Sequence, residues 1–194
     1  MTTLPSQETI NEFVIAAHHD LPKVQTLLAE HPDILNENAE WIETAIQGAA
    51  HVANHPIIDY LLAQGAPVDI CTAALLGRAD EVAAFLADNP ALKDATGPHG
   101  IDIMYYPALG GHIAIAETLL AAGALVNPPG PQSPLIGAIL GGHADMVRWL
   151  LAQDANPYGT DFEGRDALAV AGVQGFQAAI ELLQPFYSDE GDLG

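Results

Sequence analysis

The sequence predicts an all-α fold, a solenoid of about six helix-turn-helix repeats forming one domain. Three observations carry this. A pair of large apolar residues recurs along the whole chain, an Ala-rich apolar segment sits about 15 residues before several of the pairs, and glycine or polar turns separate the two.

The recurring pairs are Leu27-Leu28, Leu61-Leu62, Phe85-Leu86, Leu119-Leu120, Leu150-Leu151 and Leu182-Leu183, all but the last followed by Ala. Their first members are 34, 24, 34, 31 and 32 residues apart. Three residues before each pair stands Val24, Ile58, Val82, Ala116, Val147 or Ala179. Apolar side chains at i, i+3 and i+4 lie on one face of an amphipathic helix, so each set marks a second, outer helix. Asp20 and Asn54 are suited to cap the N-termini of two of these helices, with Pro22 and Pro56 in the first turn, where proline is tolerated.

The upstream segments include Phe13-Val14-Ile15-Ala16-Ala17, Ile70-Cys71-Thr72-Ala73-Ala74-Leu75, Leu135-Ile136-Gly137-Ala138-Ile139-Leu140 and Leu168-Ala169-Val170-Ala171. Such dense small residues let neighbouring helices approach closely. The turns between paired helices carry His19-Asp20, Gly77-Arg78, Gly111-His112 and Gly142-His143. No single pair can bury its apolar face alone, so the pairs must stack. The expected layout is a lead-in over residues 1–9, a repeat domain over 10–186 and an acidic, frayed tail over 187–194.

These motifs resemble the ankyrin repeat family. Gly111-His112 followed by Leu119-Leu120-Ala121-Ala122-Gly123-Ala124-Leu125-Val126-Asn127 is similar to its "GH…LLxxGAxVN" signature. Ser133-Pro134-Leu135, then Gly142-His143 and Leu150-Leu151, follow its "TPL…GH…LL" pattern, and Leu61-Leu62-Ala63-Gln64-Gly65-Ala66-Pro67-Val68-Asp69 is a third fragment. The resemblance covers residues 10–185, and the connector Gly97-Pro98-His99-Gly100-Ile101 resembles those of small stand-alone bacterial ankyrin proteins. Three departures stand out. The spacing of 24 shortens the connection after Asp69. Tyr105, Ile136 and Ala169 replace the family's turn histidine, so the network it supplies must be built otherwise. The first and third copies end in Ala29-Glu30-His31-Pro32 and Ala87-Asp88-Asn89-Pro90 rather than in Gly-Ala-x-Val-Asn.

The chain has 194 residues, 5 basic and 25 acidic, for a net charge of −20. With 49% apolar residues it is too hydrophobic to be a disordered acidic chain. So few cations make it a poor ligand for nucleic-acid phosphates or anionic membranes. A lone cysteine, Cys71, excludes an internal disulfide and a cysteine-rich metal site. The N-terminal residues do not read as a signal peptide, and no apolar stretch is long enough to span a bilayer. A cytoplasmic protein is expected.

No catalytic constellation stands out. There is no Gly-x-Ser-x-Gly elbow and no phosphate-binding glycine loop. Asp161, Glu163 and Asp166 read as a solvated finger. Stacking would bring His18 or His19 toward His51, but exposed turn histidines seldom complete a zinc shell, so neither a metal nor a cofactor is expected. The local rule-breaker is Met104-Tyr105-Tyr106-Pro107, where proline in an inner helix forces a late start or a distortion. Either would turn the tyrosines toward a concave groove.

The resemblance implies a non-enzymatic protein–protein interaction module with Val14, His51, Thr72, Leu75, Tyr106, Leu109 and Leu140 facing that groove. The expected partner-binding residues are Tyr105, Tyr106, His51, Leu75, Leu109 and Leu140. The expected partner is a protein or peptide segment with basic flanks. On this reading, replacing Tyr106 by Ala weakens binding without unfolding the chain. The alternative is a small-molecule-binding protein or unusual enzyme with a pocket around Tyr105, Tyr106 and His99. An acidic mimic of nucleic acid is a third reading, disfavoured because the carboxylates are spread along the chain rather than aligned.

Overall fold

The computed structural model describes residues 5–188; residues 1–4 and the part of the acidic tail at 189–194 lie outside them. Twelve α-helices, arranged in six consecutive pairs, are found among the described residues. Residues 96 and 102 form an isolated bridge, and no strand is present among the described residues. The expected all-α helical repeat is therefore what the chain adopts. By its contacts the chain divides between Thr72 and Ala73 into two compact units.

The first unit begins with α1 (Gln7–Ala16) and α2 (Leu21–Glu30). Helix α1 starts at Gln7, inside the stretch expected to be lead-in, because the Ser6 hydroxyl accepts the Thr9 N–H at 3.3 Å. Asp20 caps α2 by accepting the Lys23 N–H at 3.0 Å, and Pro22 falls in its first turn. Helices α3 (Ala45–His51) and α4 (His55–Ala63) follow, separated at Asn54 as Pro56 suggests. Phe13, Val14, Val24, Ile57, Ile58 and Leu61 are sealed between these helices, so the i, i+3, i+4 register does choose the buried face. After α4 only six residues precede α5 (Ile70–Leu75), which is the shortened connection read from the spacing of 24. Asp69 closes it, accepting the Thr72 N–H at 2.7 Å and the Gln47 side-chain amide at 2.8 Å.

The second unit continues with α6 (Ala79–Asp88), α7 (Tyr105–Gly110), α8 (Ile113–Ala122), α9 (Pro134–Leu140), α10 (Ala144–Ala152), α11 (Ala167–Gln174) and α12 (Gln177–Ser188). Inner helix α9 packs against both α7 and α11, forming the core layer. Where a turn histidine is missing, side-chain caps hold the helix starts. Ser133 accepts the Ile136 N–H at 3.2 Å, and Asp166 accepts the Ala169 N–H at 2.8 Å. The Gly-His turns lock successive repeats. His112 Nε2 donates to the Leu75 carbonyl at 2.9 Å, and Gly111 adopts φ 75° beneath the His143 ring. A side chain at Gly111 would meet that ring at 2.6 Å as well as opposing the left-handed backbone. The first and third copies, which lack Gly-Ala endings, close instead with 3₁₀ turns at Pro32–Ile34 and Pro90–Asp94. Tyr187, expected in the frayed tail, is helical and donates its hydroxyl to the Pro157 carbonyl at 2.7 Å.

The finger before α11 is more ordered than a solvated acidic loop. Asp161 accepts the backbone N–H groups of Glu163 and Arg165, each at 2.9 Å, and the Arg165 guanidinium at 2.7 and 2.8 Å. Burial pushes its carboxyl up, but the Arg165 and Glu163 bonds outweigh that and hold it below the ordinary carboxylate range. A folded-state pKa below the unfolded one gives stability that is present above about pH 4 and is lost as pH falls through the folded value. Asp161→Asn is therefore expected to cost about 1–2 kcal/mol near neutrality. The gap between variant and parent should narrow in urea melts at progressively lower pH; a gap that persists unchanged would show that charge is not what holds this finger.

Candidate functional site

The residues expected to face a partner are mostly inside the protein. Tyr105 and Tyr106 are 2% and 1% exposed, and Leu75 and Leu109 are also buried. Leu140 and His51 are half-buried. The physical reason lies in how α7 begins. Its first residue is Tyr105, which leaves Pro107 in the first turn, where no N–H partner is needed. The helix is therefore undistorted, and Tyr105 turns inward onto Gly137 of α9. The two phenol rings meet edge to face at 5.7 Å. Burial pushes the Tyr105 hydroxyl well above its ordinary value, so it holds its proton near neutrality. His99 is exposed, with its ring edge toward Phe162 at 6.2 Å. The tyrosines thus serve as core rather than as the lining of a cavity or as a contact platform.

The first unit holds the chemistry-bearing cluster. His18, in the turn just after α1, and His51, the last residue of α3, bring their rings edge to face at 4.8 Å. His19 stays exposed. Between the two rings lies Glu43, whose side chain is fully buried. Its Oε1 is 3.6 Å from His18 Nε2 and 3.1 Å from His51 Nδ1, and its Oε2 accepts the Trp41 indole N–H. His18 Nδ1 faces the Val14 carbonyl at 3.0 Å and that of Ile15 at 3.2 Å. A carbonyl can only accept, so Nδ1 carries the proton and Nε2 of the neutral ring presents its lone pair to Glu43.

Burial of Glu43 opposes its charge, but bonds from His51 and Trp41 and the nearby imidazoles overcome this and keep the carboxyl below its ordinary range. Burial, partly offset by Glu43, holds His18 below its ordinary value. The pair is set up as carboxylate and neutral imidazole. Gly48 of α3 makes room for the ring, since a Cβ there would stand 2.9 Å from His18 Cε1. Sequence reasoning named both histidines but passed over Glu43. The only signal available was an acid two residues after a tryptophan and just before a capping threonine.

Trp41 and Glu43 belong to a tight finger. The Ala39 N–H donates to the Glu43 carbonyl and the Ile42 N–H to the Ala39 carbonyl, both at 2.9 Å. Asn11 and Gln7 of α1 fasten it, through the Glu40 N–H at 3.1 Å and the Asn38 carbonyl at 3.0 Å. At its tip Ile42 is 80% exposed and adopts φ 62°. A β-branched residue in the left-handed region is strained by about 1–3 kcal/mol. Trp41 beside it is 37% exposed.

Residues 132–162 match the family model described as Ankyrin repeat, which supports the resemblance read from the motifs. No curated protein matches the chain. The family match suggests a protein–protein interaction module of a generally non-enzymatic kind. Among the described residues, no helix is long and apolar enough to cross a membrane.

Proposed function

We propose that the chain is a non-enzymatic protein–protein interaction module that grips a partner segment through its fingers and the adjoining inner-helix face. The observation that carries this reading is the finger tip Trp41-Ile42. It combines exposed apolar area, fastening to α1 and a strained backbone at a residue that contributes nothing to the core. Strain retained at an exposed apolar position is a mark of use rather than of folding. Trp41 offers a rigid anchor of the kind that dominates interface energetics, and Ile42 extends it. Of the residues expected from sequence, His51 of the same unit retains some exposure; Tyr105, Tyr106, Leu75 and Leu109 act by holding the helices. The net charge of −20 favours a partner segment with basic flanks and makes its capture salt-sensitive.

Ile42→Gly separates binding from stability. Glycine accepts the positive φ, so the variant should be as stable as the parent or more stable by about 1 kcal/mol, while losing the apolar tip. In a capture experiment from native lysate, at low and moderate salt, the partner retained by the parent should fall at least tenfold with Ile42→Gly. Equal retention by a stable variant would remove the finger from the binding surface.

A further inference from the structure

We propose that His18, Glu43 and His51 form a binding site for a divalent transition-metal cation of the zinc class, clamping α1, the Trp41 finger and α3 together. This role is separate from partner capture and does not depend on it. Several observations converge on it.

The donor atoms have the right spacing. Zinc binds nitrogen and carboxylate oxygen at about 2.0–2.2 Å in tetrahedral geometry, which places adjacent donor atoms about 3.3 Å apart. Glu43 Oε1 lies 3.1 Å from His51 Nδ1 and 3.6 Å from His18 Nε2, on either side of that value. All three ligand atoms lie within 4.8 Å of one another, so a shift of well under an ångström in each side chain would bring them onto one ion.

Each ligand also has its supporting contact. His18 donates Nδ1–H to the Val14 carbonyl, which fixes the tautomer that leaves Nε2 as a ligand, and Trp41 holds the second oxygen of Glu43. Metal sites rely on such outer contacts to orient imidazole and carboxylate. A cation placed between Glu43 Oε1 and the two ring nitrogens that face it would be attracted by all three donor atoms. At His51, Nδ1 stands 3.1 Å from the same carboxylate oxygen, within reach of the same ion.

The setting favours retention. Glu43 is fully buried, and the histidine side chains are 24% and 11% exposed, so the site is shielded yet reachable. Two imidazoles and one carboxylate form a borderline donor set, suited to zinc over calcium or magnesium, which prefer oxygen alone.

The test uses the full chain, stripped with chelator and titrated with zinc(II) against a chromophoric indicator, and with cobalt(II) followed by visible absorption. One equivalent should bind, with tetrahedral cobalt bands and a rise in the thermal midpoint. The imidazole ¹H–¹⁵N signals of His18 and His51 should shift while those of exposed His19 do not. Glu43→Gln and His18→Ala should weaken binding at least about tenfold, the usual scale for losing a contributor to a metal site, whereas His19→Ala should not. Binding unaffected by Glu43→Gln, equal loss with His19→Ala, or zinc addition that leaves the His18 and His51 signals in place would overturn the assignment. The signal shifts are read on the parent, so the outcome stands even where a variant folds poorly.

Discussion

Tyr106→Ala is expected to destabilise the protein by about 3–5 kcal/mol, the range for removing a large aromatic side chain from a packed core. The ring is 1% exposed, stands edge-on to Tyr105, and lies in the inner layer of the second unit. Its loss leaves a cavity that α7 cannot close without disturbing α9, which packs directly against it. Tyr106→Phe keeps the ring and should lose only about 1 kcal/mol, the scale of one hydrogen bond. Urea melts followed by circular dichroism would separate the two variants. The groove reading of the sequence predicts the opposite pattern, with stability intact and binding lost. A Tyr106→Ala variant within about 1 kcal/mol of the parent would therefore restore that reading.

That contrast shows where sequence ceases to inform. Helix periodicity depends on residue spacing alone, so Val24, Ile58, Val82, Ala116, Val147 and Ala179 are recognisable without coordinates, and all six are fully buried. The caps Asp20 and Asn54 are local as well, because their partners lie three residues away. The direction of Tyr105 and Tyr106 is a different matter. An aromatic ring with a polar tip suits a groove or a core equally, and the choice rests on where α7 starts and on a glycine some 30 residues later.

Glu43 was harder still. Its partners lie 25 residues before it and 8 after it, one in the turn after α1 and the other in α3, and no periodic pattern points to a finger residue. Ile42 hides for the reverse reason. Residue type argues against a left-handed conformation there, so its strained backbone can be seen only in three dimensions. What sequence missed at the candidate site are the two residues whose roles break a local rule.

Gly137→Ala should destabilise the fold even though the same change elsewhere in a helix stabilises it. Within an α-helix, alanine is favoured over glycine by about 1 kcal/mol, since it restricts the unfolded chain and lacks glycine's excess backbone freedom. Gly172, exposed in α11 with nothing within 4 Å of a would-be Cβ, should show that gain. At Gly137 the added carbon would stand 2.9 Å from the Tyr105 carbonyl oxygen and 2.8 Å from its ring. A ring can tilt, but a carbonyl inside α7 cannot retreat without breaking the helix contact that forms the core layer of the second unit. Overpacking of this kind costs about 1–3 kcal/mol, which exceeds the propensity gain and reverses the sign. Gly137→Val, with two further carbons in the same space and a stiff χ1, should lose more than Gly137→Ala. If both Gly137→Ala and Gly172→Ala raised the urea midpoint, the close approach of α7 and α9 would be refuted, and with it the reason that Tyr105 points inward. Opposite shifts would establish that a small residue in α9, rather than the family's missing turn histidine, sets the spacing between these two repeats.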